Sequence, residues 1–165
     1  VAVLEMTRFS RIPFPLFPVL KFDVMGIPMV ITYLFFGLIP GSATCFVSFA
    51  IISFRDPFSG FMKTLAELAT ILGAFLLLRG REPSVSNKRK IFAALSGITL
   101  RVVVMAAATV LLFPVFMPKF YATPQAAMAI VHLVSAFNMI QGTISILGGF
   151  IVYEAVTRRV PSLKK

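Results

Sequence analysis

Charged side chains are scarce in this sequence. Only 13% of its 165 residues are charged and 58% are hydrophobic, with a mean hydropathy of +0.93. Soluble domains carry about 25% charged and about 45–50% apolar residues. So few polar groups cannot cover a water-facing surface, which makes the bilayer the solvent for the outer face. The lone cysteine, Cys45, excludes an internal disulfide and a cysteine-rich metal site. It lies in an apolar run and reads as a packed thiol. The lone histidine, His132, also lies in an apolar stretch and reads as packing rather than as a ligand. No hydrolase, phosphate-loop or metal motif is present. Gly148-Gly149 lacks the surroundings of a nucleotide loop and reads as a close helix contact. Nothing supports an enzyme, and no cofactor is expected.

Positive charge is the one polar commodity in excess. There are 16 Lys and Arg against 6 Asp and Glu, a net charge of +10. In a soluble chain this balance would raise nucleic acid as a partner. Here the basic residues flank apolar runs, so they read as membrane topology and not as a nucleic-acid footprint.

Along the chain, Pro13, Pro15 and Pro18 exclude a helix over 10–23 and leave an extended apolar-aromatic loop that must pack against something. Apolar spans are expected at 24–39, 43–54, 61–78, 91–117 and 126–156, and 1–9 reads as the end of a helix whose beginning is missing. Pro40-Gly41-Ser42 reads as a stop and turn. The segment 43–54 is short against the roughly 20 residues of a full span. Taking it as re-entrant is the alternative, and it would break the parity of the basic regions. Arg79, Arg81, Lys88, Arg89 and Lys90 lie in one loop (79–90), and Arg158, Arg159, Lys164 and Lys165 lie in the tail. Two spans separate these regions, so the positive-inside rule puts both in the cytoplasm and puts 10–23, 55–60 and 118–125 outside. The expected fold is an all-α membrane protein, a six-helix transmembrane bundle with its first helix truncated, forming one domain over 1–165 in the cell membrane.

Polar groups within the spans are the chemically informative residues, because they are costly in lipid unless paired or functional. Lys63 and Glu67 share a helix face at i,i+4. They read either as a self-neutralising pair or as one group facing a ligand cavity. Arg101 reads as structural, snorkelling inward or paired with a carboxylate. Asn138 and Gln141, three apart, share a face that Ser145 continues, and Thr109 stands at a depth that matches. Two amides and a hydroxyl can bond a heterocycle edge or can simply tie helices together.

Several of these stretches resemble one family. Residues 14–41, with Lys21-Phe22-Asp23-Val24-Met25-Gly26-Ile27-Pro28 at their centre, resemble the first outer loop and second span of riboflavin-type substrate-binding (S) components of energy-coupling-factor (ECF) transporters. Asp56-Pro57 with 61–78 looks like the family's fourth span, and Arg101 to Met105 looks like its fifth. Phe137-Asn138-Met139-Ile140-Gln141-Gly142 is similar to the F-N-[LI]-I-K-G of its sixth. The resemblance covers nearly the whole chain. It departs at Gly26, where an acidic residue is common, at Gln141, where lysine is usual, and at Thr109 and Lys63, where asparagine is frequent.

The resemblance implies a six-helix bundle with a pocket open to the outside beneath the first outer loop. It implies a transmembrane coupling subunit and two cytoplasmic ATPase subunits as partners, and a chain that hydrolyses nothing itself. In that picture the protein binds a vitamin outside and topples in the membrane to release it inside. The ligand expected is riboflavin or a related flat heterocycle, held by Asn138, Gln141, Thr109 and Lys63, with Leu16, Phe17 and Phe22 of the loop closing over it. A secondary transporter or channel is the first alternative. It needs charges along a path or broken helices in paired halves, and only Lys63, Glu67 and Arg101 qualify. A structural membrane subunit without ligand is the second.

Overall fold

The computed structural model describes residues 12–18, 20–78, 87–119, 121 and 123–160. The expected partial first span, most of the basic loop at 79–86 and the tail beyond Val160 lie outside the described residues.

The proline-rich segment forms no helix, as its ring-locked backbone requires. It forms a small hairpin of β1 (Ile12–Pro13) and β2 (Lys21–Phe22), paired antiparallel with Ile12 opposite Phe22. The turn is closed by Phe14 N–H to the Leu20 carbonyl at 2.9 Å and by Phe17 N–H to the Phe14 carbonyl at 3.0 Å. Phe14 is buried, whereas Leu16 is 67% exposed. The hairpin therefore turns one aromatic inward and leaves its tip out.

Helix α1 (Gly26–Phe36) ends at Gly37, whose φ of 93° suits only glycine comfortably and whose N–H bonds the Tyr33 carbonyl at 2.8 Å. Helix α2 (Leu38–Ser53) starts at once. The expected turn at Pro40–Ser42 is therefore not there. Pro40 sits in the first turn of α2, where its missing N–H would have had no partner. Gly41 lies flat on α1, so that a Cβ there would stand 2.7 Å from Tyr33 Cβ. The spans expected at 24–39 and 43–54 become an 11-residue and a 16-residue helix meeting in a tight elbow. At about 1.5 Å per residue neither matches a hydrocarbon core about 30 Å thick.

Helix α3 (Pro57–Leu78) begins four residues before the expected 61. The cause is a start signal in Asp56-Pro57. The Asp56 carboxylate accepts the Ser59 N–H at 3.1 Å and also the Ser59 hydroxyl, and proline at the first helical position is pre-shaped for the helix. Helix α4 (Asn87–Phe116) likewise reaches back through Lys88-Arg89-Lys90, since charged straight-chain residues do not stop a helix. Thr123-Pro124 starts a separate short helix, α5 (Pro124–Met128), before α6 (Val131–Arg159), so the single helix expected at 126–156 is two.

Among the described residues, three helices are long and apolar enough to cross a membrane: Pro57–Leu78, Lys88–Phe116 and Val131–Arg159. Helix α3 packs on α4 and α2, α6 packs on α4 and α1, and α2 leans on α1. Glycines set the closest approaches. A Cβ at Gly73 would lie 2.7 Å from the Gly97 backbone between α3 and α4, and one at Gly149 would lie 2.4 Å from Val30 Cγ1 between α6 and α1. The reading of Gly148-Gly149 as a helix contact agrees with this packing. Cys45 is fully buried beside Met29 and Ile71 in one core cluster, while His132 is exposed and not packed. Large apolar side chains, Phe36, Ile39 and Phe54 among them, cover the outer surface. That inversion is what lipid as solvent selects.

Candidate ligand-binding cavity

At one end of the bundle the hairpin, the α2–α3 junction and the inner faces of α3, α4 and α6 line a half-open cavity of about 850 Å³. Small-molecule sites typically span about 300–1,000 Å³. Its walls are mostly apolar, with Ile52, Phe58, Met62, Met105, Phe113, Met117, Val134 and Phe137. Its charged and amide groups are Lys21, Asp23, Arg55, Asp56, Lys63, Arg101, Asn138 and Gln141.

The inner polar groups form one chain of contacts. Lys63 Nζ donates to both oxygens of Asp23, at 2.6 and 2.7 Å, and lies 3.5 Å from Glu67 Oε1. On the other side of that carboxylate, Arg101 Nη1 stands 3.0 Å from Glu67 Oε1. Arg101 Nε donates to Asn138 Oδ1 at 3.1 Å, and its Nη1 also reaches Thr70 Oγ1 at 3.2 Å. Asn138 Nδ2 donates to the Val134 carbonyl at 2.9 Å. Gln141 donates from Nε2 to the Asp23 carbonyl at 2.7 Å and accepts the Asp23 N–H at 3.2 Å. Two cations and two carboxylates balance within this chain, as burial in a low-dielectric interior demands.

Glu67 is 0% exposed, and its contacts with both cations are ion pairs without a directed hydrogen bond. It fits because residue 26 is glycine. A Cβ at Gly26 would stand 2.0 Å from Ser145 Oγ and 2.7 Å from Glu67 Oε2. A side chain at 26 would collide with Ser145 and with a carboxylate delivered from α3.

The sequence-based candidates divide. Asn138, Gln141 and Lys63 come together at the cavity. Thr109 does not line it. It is fully buried and donates to the Met105 carbonyl of its own helix at 2.8 Å. Phe22 reaches the site through Phe137, stacked at 4.9 Å between ring centroids, with Phe14 against both. Phe17 and Leu16 do not line the cavity. Arg101, read as structural, is buried against Glu67 and borders the cavity as well. Sequence reasoning missed Asp23 and the apolar wall of Met62, Met105 and Phe137. The charge of Asp23 three residues before α1 was visible, but its partners are 40 and 118 residues away.

The sequence matches no protein-family model, and comparison with curated proteins gives no match. The fold does have a solved counterpart. The chain superimposes on the S component of a bacterial ECF transporter with a TM-score of 0.78 and 20% sequence identity, over 96% of this chain and 91% of that one. The two proteins share a fold, and the apolar helices mark this one as a multi-pass membrane protein.

Proposed function

We propose that this chain is the substrate-specificity subunit of an ECF-type vitamin importer. It binds riboflavin or a related flat heterocycle from outside the cell and delivers it with a transmembrane coupling subunit and two cytoplasmic ATPase subunits. The observation that carries the reading is the cavity of about 850 Å³, mostly apolar in its lining but with Lys63, Arg101, Asn138, Gln141 and the Asp23 carboxylate on its wall, in a bundle with the fold of an S component. A planar ring suits walls of Phe and Met, and Asn138 with Lys63 supplies the polar groups that fix orientation. The hairpin and the 54–57 junction then face outward, and the end carrying the Lys90–Glu154 ion pair faces the cytoplasm, in line with the basic residues around it. Work on the ligand comes from the partner ATPases.

The test is titration of the detergent-purified protein with riboflavin, followed by flavin fluorescence. Saturable quenching at micromolar ligand is the expected result. No quenching in that range overturns the flavin assignment. Absorbance and mass of any co-purified small molecule would then identify the ligand directly.

A further inference from the structure

Lys63 and Gln141 both border the cavity, yet both direct their bonding groups at one residue of the hairpin's exit. Asp23 receives Lys63 on both carboxylate oxygens at 2.6 and 2.7 Å. Its backbone is gripped by the Gln141 amide through two further bonds, at 2.7 and 3.2 Å. Asp23 Oδ1 also accepts the Met25 N–H at 3.0 Å, which fixes it to the start of α1. A single residue is thereby tied to α3, α6 and α1. The ion pair is largely shielded, with the two side chains 14% and 13% exposed, so salt and water weaken it less than a surface pair. Pro13, Leu20, Lys21 and Asp23 form the hairpin's share of the cavity wall.

We infer that Asp23 is the positioning residue that holds the hairpin over the cavity, and that Lys63 and Gln141 govern access through it. The Phe14–Phe22–Phe137 ring cluster supplies apolar contact but no fixed register, whereas the Gln141 clamp is directional. The inference takes its biological meaning from the importer reading. Its geometry can be tested without any ligand.

The reporter is Met62→Cys, on the cavity wall, reacted with a charged, membrane-impermeant thiol reagent. The native Cys45, which is fully buried, serves as an internal fold control. Adding Asp23→Asn, Lys63→Met or Gln141→Leu should each speed labelling at position 62 by about tenfold, equivalent to ~1.4 kcal/mol of lost closure. Because the first two remove the same contact, the Asp23→Asn/Lys63→Met double should label no faster than the faster single. Single variants within about twofold of the parent, or a double equal to the product of the singles, overturn the inference. If a charge variant also exposes Cys45, Gln141→Leu, which removes only neutral bonds, decides. Exposure of Cys45 in all three variants would show that these contacts hold the bundle and not the hairpin, and would equally overturn it. None of these rates depends on riboflavin, so a failed titration and a failed clamp remain distinguishable.

Discussion

Replacing Arg101 by leucine should be among the most damaging single changes in the bundle, and the contacts say by how much. Arg101 is 1% exposed and Glu67 0%. The substitution removes the nearer of the two cations from Glu67, at 3.0 Å, and leaves Lys63 at 3.5 Å. Lys63 is itself held by Asp23 at 2.6 Å, so it compensates only in part. Removing one partner of a buried pair costs about 3–5 kcal/mol. Asn138 Oδ1 also loses its donor, a further penalty of about 1–3 kcal/mol if the oxygen stays dry. Thr70 loses little, because its hydroxyl still donates to the Ala66 carbonyl at 2.9 Å. The apolar leucine returns some of this, so the loss should fall near the upper end of the ion-pair range. The Arg101→Leu/Glu67→Leu double removes both charges and should be at least ~2 kcal/mol more stable than the single, since paired removal spares the orphaned charge. Equilibrium denaturation in mixed micelles, followed by far-ultraviolet circular dichroism, measures both. A loss under about 1 kcal/mol for the single, or a double no more stable than the single, would refute the reasoning.

Three other outcomes follow from the same contacts. Gly149→Leu places side-chain atoms where a Cβ already stands 2.4 Å from Val30 Cγ1, so it should part α6 from α1 and lower stability by about 1–3 kcal/mol; an unchanged thermal melt would contradict that packing. Under the proposed function, Asn138→Ala should weaken binding of the flavin probe by roughly three- to tenfold, the worth of one hydrogen bond, while Thr109→Val should leave it unchanged because Thr109 bonds its own helix; equal effects in a fluorescence titration would contradict the assignment. The Ser59 hydroxyl, with help from backbone N–H groups, holds the Asp56 carboxyl below its ordinary range against an opposing effect of burial. A depressed acid stabilises the folded state fully above its unfolded pKa of about 3.9 and loses that contribution as pH falls through the lower folded value. Ser59→Ala should therefore raise the Asp56 titration midpoint seen by carboxyl-carbon NMR, and an unmoved midpoint would exclude the Ser59 contact as the cause.

Residue type and local spacing made part of this architecture readable. Three prolines in six residues could only be a loop, and the shared face of Asn138 and Gln141 on one helix follows from their three-residue spacing. The apolar runs of α3, α4 and α6 were equally plain. Helix ends were less so, because Pro40 stops a helix in the interior but not in the first turn, and the break came instead at Gly37, which offered only a missing side chain as its signal. Partners across the bundle left no local trace. Spacing at i,i+4 leaves Lys63 and Glu67 either as a self-neutralising pair or as one group facing a cavity, yet the closer partner of Lys63 is Asp23, 40 residues earlier, and the closer partner of Glu67 is Arg101. Thr109 shows the converse. Its depth matched Asn138, but a hydroxyl can always satisfy itself on the preceding turn, and here it does.

The balance of Lys63 and Arg101 against Asp23 and Glu67 has an electrical consequence. Each elementary charge carried across a membrane potential involves about 2.3 kcal/mol per 100 mV. Although its dipole still feels a torque on tilting, a quartet summing to zero feels no net force from that field, so moving it as a unit along the membrane normal is indifferent to the cell's voltage. Loss of any one member would turn the same motion into a voltage-sensing one.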